Sequence, residues 1–267
     1  MVLLTFLLAS LLLAQSASAP IPDTTALLKE VQAQQRKMDA VRENYTFHRI
    51  RQVDDVDQNA TVIKTQTQER EIFFVNGHQI GRLMKRNGVA LTAAEDKSEQ
   101  ARVGKLIERF MKSPAPTTGL AGLISEILAV AKVSNPRRLS LKGRDTLAFD
   151  FTGDPNAHAH GTVQSAGKKL AGTVWIDEAD RQVARLEFEV DENFHIGGGL
   201  LASIQKGSAF TVEQSPVGQG LWLETGNEQH VAARLLVMKS FRQNVHVKDL
   251  DFKRFDVGTV QQIGPPR

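Results

Sequence analysis

The sequence contains no cysteine, which excludes disulfide bonds, cysteine-based zinc sites and a lipid anchor on an N-terminal cysteine. An excess of charge of one sign is also missing, because 33 lysines and arginines against 30 acidic residues leave a net charge of +3. The one short basic stretch, residues 135–145, lacks the density of a nucleic-acid-binding stripe. We therefore expect no nucleic-acid partner.

Long apolar runs are absent except at the N-terminus. The run Val2–Ala14 is shorter than the roughly 20 residues of a membrane-spanning helix, and the small residues Ala17–Ala19 follow it. This is the pattern of a signal peptide over residues 1–19. We expect the protein to be exported, and residues 20–267 to form one domain.

Catalytic signatures are missing as well. The sequence has no G-x-S-x-G nucleophile elbow, and Gly197–Gly199 is not followed by the lysine of a phosphate-binding loop. Residues 55–60 begin like a calcium loop, but Ala60 replaces the required glycine and Gln66 replaces the bidentate glutamate. We interpret this stretch as a hairpin turn, and we expect neither an enzyme nor a cofactor.

The pair His158 and His160 is the feature that most resembles a metal site. On a strand, two histidines at this spacing would point to one face, as in zinc sites. The surrounding residues 153–161 are typical of a loop instead, and no third ligand is evident nearby. A metal-dependent enzyme therefore remains only as a less favoured hypothesis.

Most of the secondary structure that the sequence predicts is β-strand. Residues 170–190 predict a hairpin whose second arm alternates, with Ala184, Leu186, Phe188 and Val190 on one face and Val183, Arg185, Glu187 and Glu189 on the other. The dipeptides Asn76-Gly77 and Asn87-Gly88 are strong turn signals, because both turn positions need a positive φ. Residues 45–86 therefore predict an antiparallel meander.

Three helices are expected between and before these strands. Residues 25–43 form an amphipathic pattern, Thr92 and Glu95 fit a capping box, and residues 119–133 are apolar almost all round. Since strands and helices do not alternate as βαβ units, we predict an α+β fold. Its large antiparallel sheet curls into an open half-barrel, with the helices covering its concave face.

The ordered motifs of the C-terminal half resemble a known family, the outer-membrane lipoprotein carrier (LolA/LolB-like) superfamily. The matching residues are Gly172, Trp175, Ile176 and Asp177 on one strand, Val183 and Arg185 on the next, then Trp222, Phe252 and Phe255. The resemblance covers about residues 170–257. It implies a soluble, non-catalytic protein of the bacterial periplasm that holds an acyl chain or another apolar ligand.

Such a carrier needs buried apolar area and a movable cover. The candidate ligand-binding residues are Phe149, Phe151, Trp175, Leu186, Phe188 and Trp222, with helix 119–133 as a plug and residues 113–119 as a hinge. These side chains would equally suit a dry, filled core. A regulatory or scaffold protein that binds a membrane-protein partner through the same fold is the main alternative function.

Overall fold

The computed structural model describes residues 20–114, 120–196, 202–218, 220–235 and 239–254. Its helices are α1 (Thr24–Arg42), α2 (Ala93–Met111), α3 (Leu120–Leu128) and α4 (Gly161–Gly167). The strands are β1 (Tyr45–Val56), β2 (Val62–Val75), β3 (His78–Arg86), β4 (Val89–Ala90), β5 (Ala131–Leu141), β6 (Arg144–Gly153), β7 (Leu170–Asp177), β8 (Val183–Val190), β9 (Phe194–Ile196), β10 (Ala202–Ile204), β11 (Ala209–Gly218), β12 (Leu221–Leu235) and β13 (Lys239–Arg254).

All thirteen described strands belong to one antiparallel sheet. Its order is β4-β3-β2-β1-β13-β12-β11-β8-β7-β6-β5, and the short β9 and β10 attach beside β12. The sheet does not close, because the edge strands β4 and β5 are not paired with each other. The predicted fold class, an open antiparallel sheet with helices, is therefore confirmed.

The helix α1 shows how the sheet bends. At one end, Leu27 and Val31 belong to the same buried cluster as Val174 of β7, and at the other, Arg42 lies 5.2 Å from the ring centroid of Phe74 on β2. Six strand spacings separate β7 from β2, about 29 Å in a flat sheet, whereas Val31 and Arg42 are about 16 Å apart along the helix. The sheet therefore curls around α1, and we call the face covered by α1 and α3 the inner face.

The turns follow the sequence signals. Asn76 and Gly77 have φ of 48° and 75°, and Asn87 and Gly88 have φ of 50° and 77°. Positive φ at both central residues is the requirement of the tight hairpin turn that matches strand twist. The predicted meander of β1, β2 and β3 is confirmed.

The helix α2 begins as predicted, with the Thr92 hydroxyl accepting from the Glu95 amide at 3.3 Å and the Glu95 carboxylate accepting from the Thr92 amide at 2.9 Å. It packs against β3, whose outer backbone groups pair with β4 only at its end. Glu99 accepts from the Leu83 amide at 2.6 Å, and Arg102 donates to the Gly81 carbonyl at 2.6 Å. These bonds protect an otherwise open sheet edge.

The predicted helix over residues 119–133 is wrong at its C-terminal end. The helix α3 ends at Leu128, and β5 begins at Ala131, which pairs with Gly153 of β6. An unbroken apolar run is compatible with both a buried helix and a buried strand, and periodicity alone does not separate them. The predicted signal peptide, most of the predicted hinge, Gly197–Gly199 and Phe255 lie outside the described residues.

The core lies on the inner face of β6, β7 and β8. Its largest side chains are Phe149 and Phe151, which are 0% and 1% exposed. Val183 also belongs to this cluster, although the sequence pattern places it on the opposite face from Leu186. The pairing of β7 and β8 shifts register after Trp175, so Val183 lies opposite Ile176. This bulge returns Val183 to the inner face.

Candidate functional site

A groove of about 280 Å³ lies between α1, α3 and the inner face of the sheet. Its lining residues are Thr25, Leu28, Lys29, Val31, Gln32, Gln35, Ile124, Leu128, Ala129, Val174, Ile176 and Val183. We call it the α1–α3 groove. Its volume is just below the range of about 300–1,000 Å³ that is usual for small-molecule sites.

The groove has a buried floor and an exposed mouth. Val31, Ile124, Val174, Ile176 and Val183 are buried, and they form an apolar floor. The mouth is made of half-buried or exposed residues, which are Thr25, Leu28, Lys29, Gln32, Leu128 and Ala129. A ligand in the groove would therefore have one apolar side against the floor and one side near water.

The helical spacing of α1 and the alternation of β7 explain why these side chains face the groove. On α1, Leu28, Val31 and Gln35 follow each other by three and four residues and so lie on one face of the helix. Thr25, Lys29 and Gln32 form the neighbouring stripe at the mouth. On β7, Val174 and Ile176 are two residues apart and share the inner face.

The predicted ligand-binding residues do not line this groove. Phe149, Phe151 and Leu186 are buried in the core beside it, since Val174 is paired with Phe149 on one side and Leu186 on the other. Phe188 stacks on Phe210 of β11 with ring centroids 5.0 Å apart. The structure thus packs these four predicted side chains together in and against the core, beside the groove.

The prediction that Trp175 faces the same interior is wrong. Val174 and Ile176 line the groove, so Trp175 points to the outer face of the sheet. There it pairs with Ala148 and Arg185, and the Arg185 guanidinium lies 5.7 Å from its ring centroid. An aromatic residue in an alternating strand does not by itself reveal which face is covered.

Trp222 is buried, but outside the main core cluster. Its indole N–H donates to the Asp180 carboxylate at 3.0 Å, and the Arg144 guanidinium lies 5.3 Å from its ring centroid. Arg144 also donates to Asp177 at 2.5 and 2.9 Å. These contacts tie β12 to the turn between β7 and β8, which is a structural role.

A polar strip of buried and half-buried side chains borders the groove on the inner face. It consists of Gln35, Arg49, Gln214, Glu224 and Asp249. Gln35 donates to Gln214 at 3.1 Å, and Arg49 donates two hydrogen bonds to Asp249 at 2.7 and 2.6 Å. The side chain of Asp249 is only 1% exposed. The strip limits the apolar surface of the groove at Gln35.

The pKa values of Arg49 and Glu224 in the strip are both raised. Burial lowers the pKa of Arg49, but the hydrogen bonds to Asp249 and the negative charges of Asp249 and Glu224 together outweigh this effect, and its pKa lies above the ordinary value. Burial raises the pKa of Glu224, which the nearby Arg49 offsets only in part. Asp249 therefore pairs with the guanidinium of Arg49, while ionisation of Glu224 is unfavourable.

We expect the substitution Glu224→Gln to stabilise the protein at pH 7. Because the pKa of Glu224 is raised in the folded state, its contribution to stability is present at low pH and is lost as the pH rises through that pKa. The gain in the free energy of unfolding should be present at pH 7 and should shrink as the pH falls toward the ordinary carboxyl range. Urea unfolding across a pH series measures it.

The matched control is Glu228→Gln, because Glu228 is exposed on the same strand. It should leave the free energy of unfolding nearly unchanged at every pH. A loss of stability in Glu224→Gln at pH 7 would contradict the unfavourable ionisation of Glu224.

Other surface features are less suited to hold a ligand. A second hollow of about 270 Å³ contains His48, Glu69, Lys85 and Asp251. There Glu69 pairs with His48 at 3.3 Å and with Lys85 at 3.1 Å, so charges are already matched within the protein. Its lining offers little continuous apolar surface.

The two histidines of the metal hypothesis lie in the exposed loop before α4, with their rings 5.3 Å apart. Within the described ranges, no three histidine, aspartate or glutamate side chains are arranged to hold a metal ion. None of the helices that the structure describes has the length and hydropathy of a membrane span.

No family model matches the sequence, and neither does any curated protein. Among solved structures, the fold aligns with a LolA superfamily protein from Nitrosomonas europaea, at 9% identity and a TM-score of 0.35, over 89% of this chain and 96% of the other. An outer membrane lipoprotein-sorting protein domain from Vibrio parahaemolyticus aligns at 9% identity and 0.38, over 86% and 96%. A DUF1329 family protein from Desulfovibrio piger aligns at 10% and 0.34, over 86% and 94%.

At this level of similarity the likeness concerns the arrangement of strands and helices. The interpretation of the α1–α3 groove rests on its own lining residues, on their burial and on the charges around its mouth.

Proposed function

We propose that this protein is an exported, periplasmic binding protein that holds an acyl chain or a similar apolar ligand in the α1–α3 groove, without catalysing a reaction. The observation that carries the proposal is the apolar floor of Val31, Ile124, Val174, Ile176 and Val183 beneath a mouth open to water. The five floor residues also belong to the buried core cluster, so the groove opens directly onto the core of the fold.

The energetics favour an apolar ligand. Each methylene group removed from water is worth about 0.8 kcal/mol, so around ten of them supply about 8 kcal/mol before the costs of association. No network of precisely placed polar groups is needed for this affinity. The groove also suits a protein that must release its ligand, because part of the bound chain stays near the mouth.

The lining supports binding in preference to catalysis. Its polar side chains are Thr25, Lys29, Gln32 and Gln35, and among the described lining residues there is no carboxylate, histidine or serine. General acid–base catalysis normally relies on such groups within reach of the substrate. This composition is the reason for proposing a carrier.

We expect Leu28→Trp to block the groove. Leu28 is half-buried at the mouth, and an indole in its place would fill the space above Val31. The neutral fluorescent probe N-phenyl-1-naphthylamine should bind the unmodified protein and bind this variant at least about 10-fold more weakly, which corresponds to 1.4 kcal/mol. Native mass spectrometry of protein isolated from a periplasmic extract should reveal a co-purifying lipid that Leu28→Trp loses.

The control is Leu123→Trp, because Leu123 is exposed on α3 and does not line the groove. It should bind the probe as the unmodified protein does. Absence of both co-purified lipid and probe binding would reject the proposed function and leave the scaffold hypothesis, in which the fold binds a membrane-protein partner. The earlier candidate Leu186 is unsuitable for such a test, since it is 2% exposed in the core and a charge there would unfold the protein.

A further inference from the structure

The mouth of the α1–α3 groove carries the positive charge of Lys29. Lys29 is exposed and lines the groove, and it makes no hydrogen bond or ion pair with any residue that the structure describes. Its neighbour Glu30 is engaged by Arg181, with the guanidinium and carboxylate 3.4 Å apart. The nearest acidic side chain along the helix is thus already neutralised, and Lys29 remains available to an anion.

The residues around Lys29 add hydrogen-bond donors. Thr25 lies one turn before it and Gln32 one turn after it, and both line the groove. The Gln32 carbonyl oxygen accepts weakly from Arg36 at 3.5 Å, which leaves the Gln32 amide nitrogen as a donor toward the mouth. An ammonium group, a hydroxyl and an amide N–H together suit a carboxylate or phosphate oxygen better than a cationic head.

The size of the groove restricts the number of chains. It runs along α1 from Thr25 to Gln35, about 15 Å at the rise of an α-helix, and its volume is about 280 Å³. The polar strip borders the groove at Gln35, which donates to Gln214 at 3.1 Å and is the last α1 residue among the described lining residues. A space of this length and volume suits one chain rather than the several chains of a phospholipid or lipoprotein.

We infer that the ligand is a single-chain amphiphile with an anionic head, whose chain lies on the apolar floor and whose carboxylate or phosphate meets Lys29 at the mouth. This inference rests on the proposed function and adds the chemical class of the ligand. The charge of Lys29 selects the head, and the floor accepts the tail.

The test is displacement of N-phenyl-1-naphthylamine by ligands that share one chain and differ in the head. Laurate and monododecyl phosphate should bind more tightly than dodecanol and dodecyltrimethylammonium, and the two anions distinguish a carboxylate from a phosphate preference. Lys29→Met keeps the apolar stem and removes the charge. It should weaken laurate binding about 3- to 5-fold, as for a partly exposed ion pair, and leave dodecanol binding unchanged.

Lys37→Met is the matched control, because Lys37 is exposed on the same helix and does not line the groove. It should bind laurate as the unmodified protein does. Equal affinity for laurate and dodecanol, or equal losses of both in Lys29→Met, would overturn this inference while leaving the proposed function intact. Dipalmitoyl phosphatidic acid binding more tightly than laurate would overturn the single-chain assignment. No binding of the probe or of any of these ligands would reject the proposed function itself.

Discussion

Phe149→Ala is expected to lower the free energy of unfolding by about 3–5 kcal/mol, the usual cost of truncating a fully buried phenylalanine. Phe149 is 0% exposed. It lies on β6, between β5 and β7, and its cross-strand partner on β7 is the groove-lining Val174. Little of the lost volume can be refilled, because Phe149 lies inside the buried cluster and its neighbour Val174 is held by strand pairing. Urea unfolding followed by far-ultraviolet circular dichroism measures the loss.

Trp175→Ala provides the comparison. It removes a larger side chain from the adjacent strand, but from the outer face, where the ring is half-buried and contacts Arg185. We expect a cost of about 1–2 kcal/mol. A greater loss in Trp175→Ala than in Phe149→Ala would mean that the core lies on the other side of the sheet.

Arg49→Met should also cost about 3–5 kcal/mol, because it leaves the carboxylate of Asp249 buried without its cation. Asp249 is 1% exposed and Arg49 19% exposed, and the two hydrogen bonds between them are short. Chemical unfolding at pH 7 and low salt measures the difference.

Two further variants separate the effect of burial from that of ion pairing. Arg86→Met breaks the exposed pair of Arg86 with Glu95, which is 3.4 Å long, and should cost less than about 1 kcal/mol. Arg49→Met combined with Asp249→Leu should recover more than half of the single loss, since no unpaired charge remains. A cost for Arg49→Met as small as that for Arg86→Met would show that the polar strip is hydrated.

Local features of the fold were predictable from the sequence because they depend on neighbouring residues. The asparagine–glycine turns at 76–77 and 87–88 require positive φ, and the capping box of Thr92 and Glu95 lies within one helical turn. The one-sided alternation along β8 likewise identified the sheet face that carries Leu186. Each of these signals is complete within a few residues.

The side on which a strand is covered was less predictable. Alternation places Trp175 and Val174 on opposite faces, but it does not say which face the helices occupy. A register shift between β7 and β8 then moves Val183 to the face of Leu186, which strict alternation does not foresee. The helix α4 was also missed, since residues 161–167 have neither an apolar stripe nor a side-chain cap.

The candidate site was the hardest part to predict. The apolar side chains of α1 suggested packing on the sheet, and half of that interpretation is correct because Leu27 is buried in the core. Leu28, one residue further, lines the groove, so the same stripe serves both purposes. The polar strip depends on pairings between residues 179 and 200 positions apart, for which the sequence has no local signal.

The pairing of β1 with β13 has a consequence for how the chain reaches this structure. The ladder that holds Arg49 beside Asp249 joins segments 200 residues apart, so its loop-closure entropy is large. A chain emerging during synthesis can form the hairpins of β1, β2 and β3 early, but β13, the neighbour of β1 on its other side, is the last of the described strands to emerge. Until then one edge of the meander is bare, and non-local sheets of this kind fold slowly and expose surfaces that aggregate. Until β13 pairs with β1, the newly made protein is therefore most exposed to aggregation.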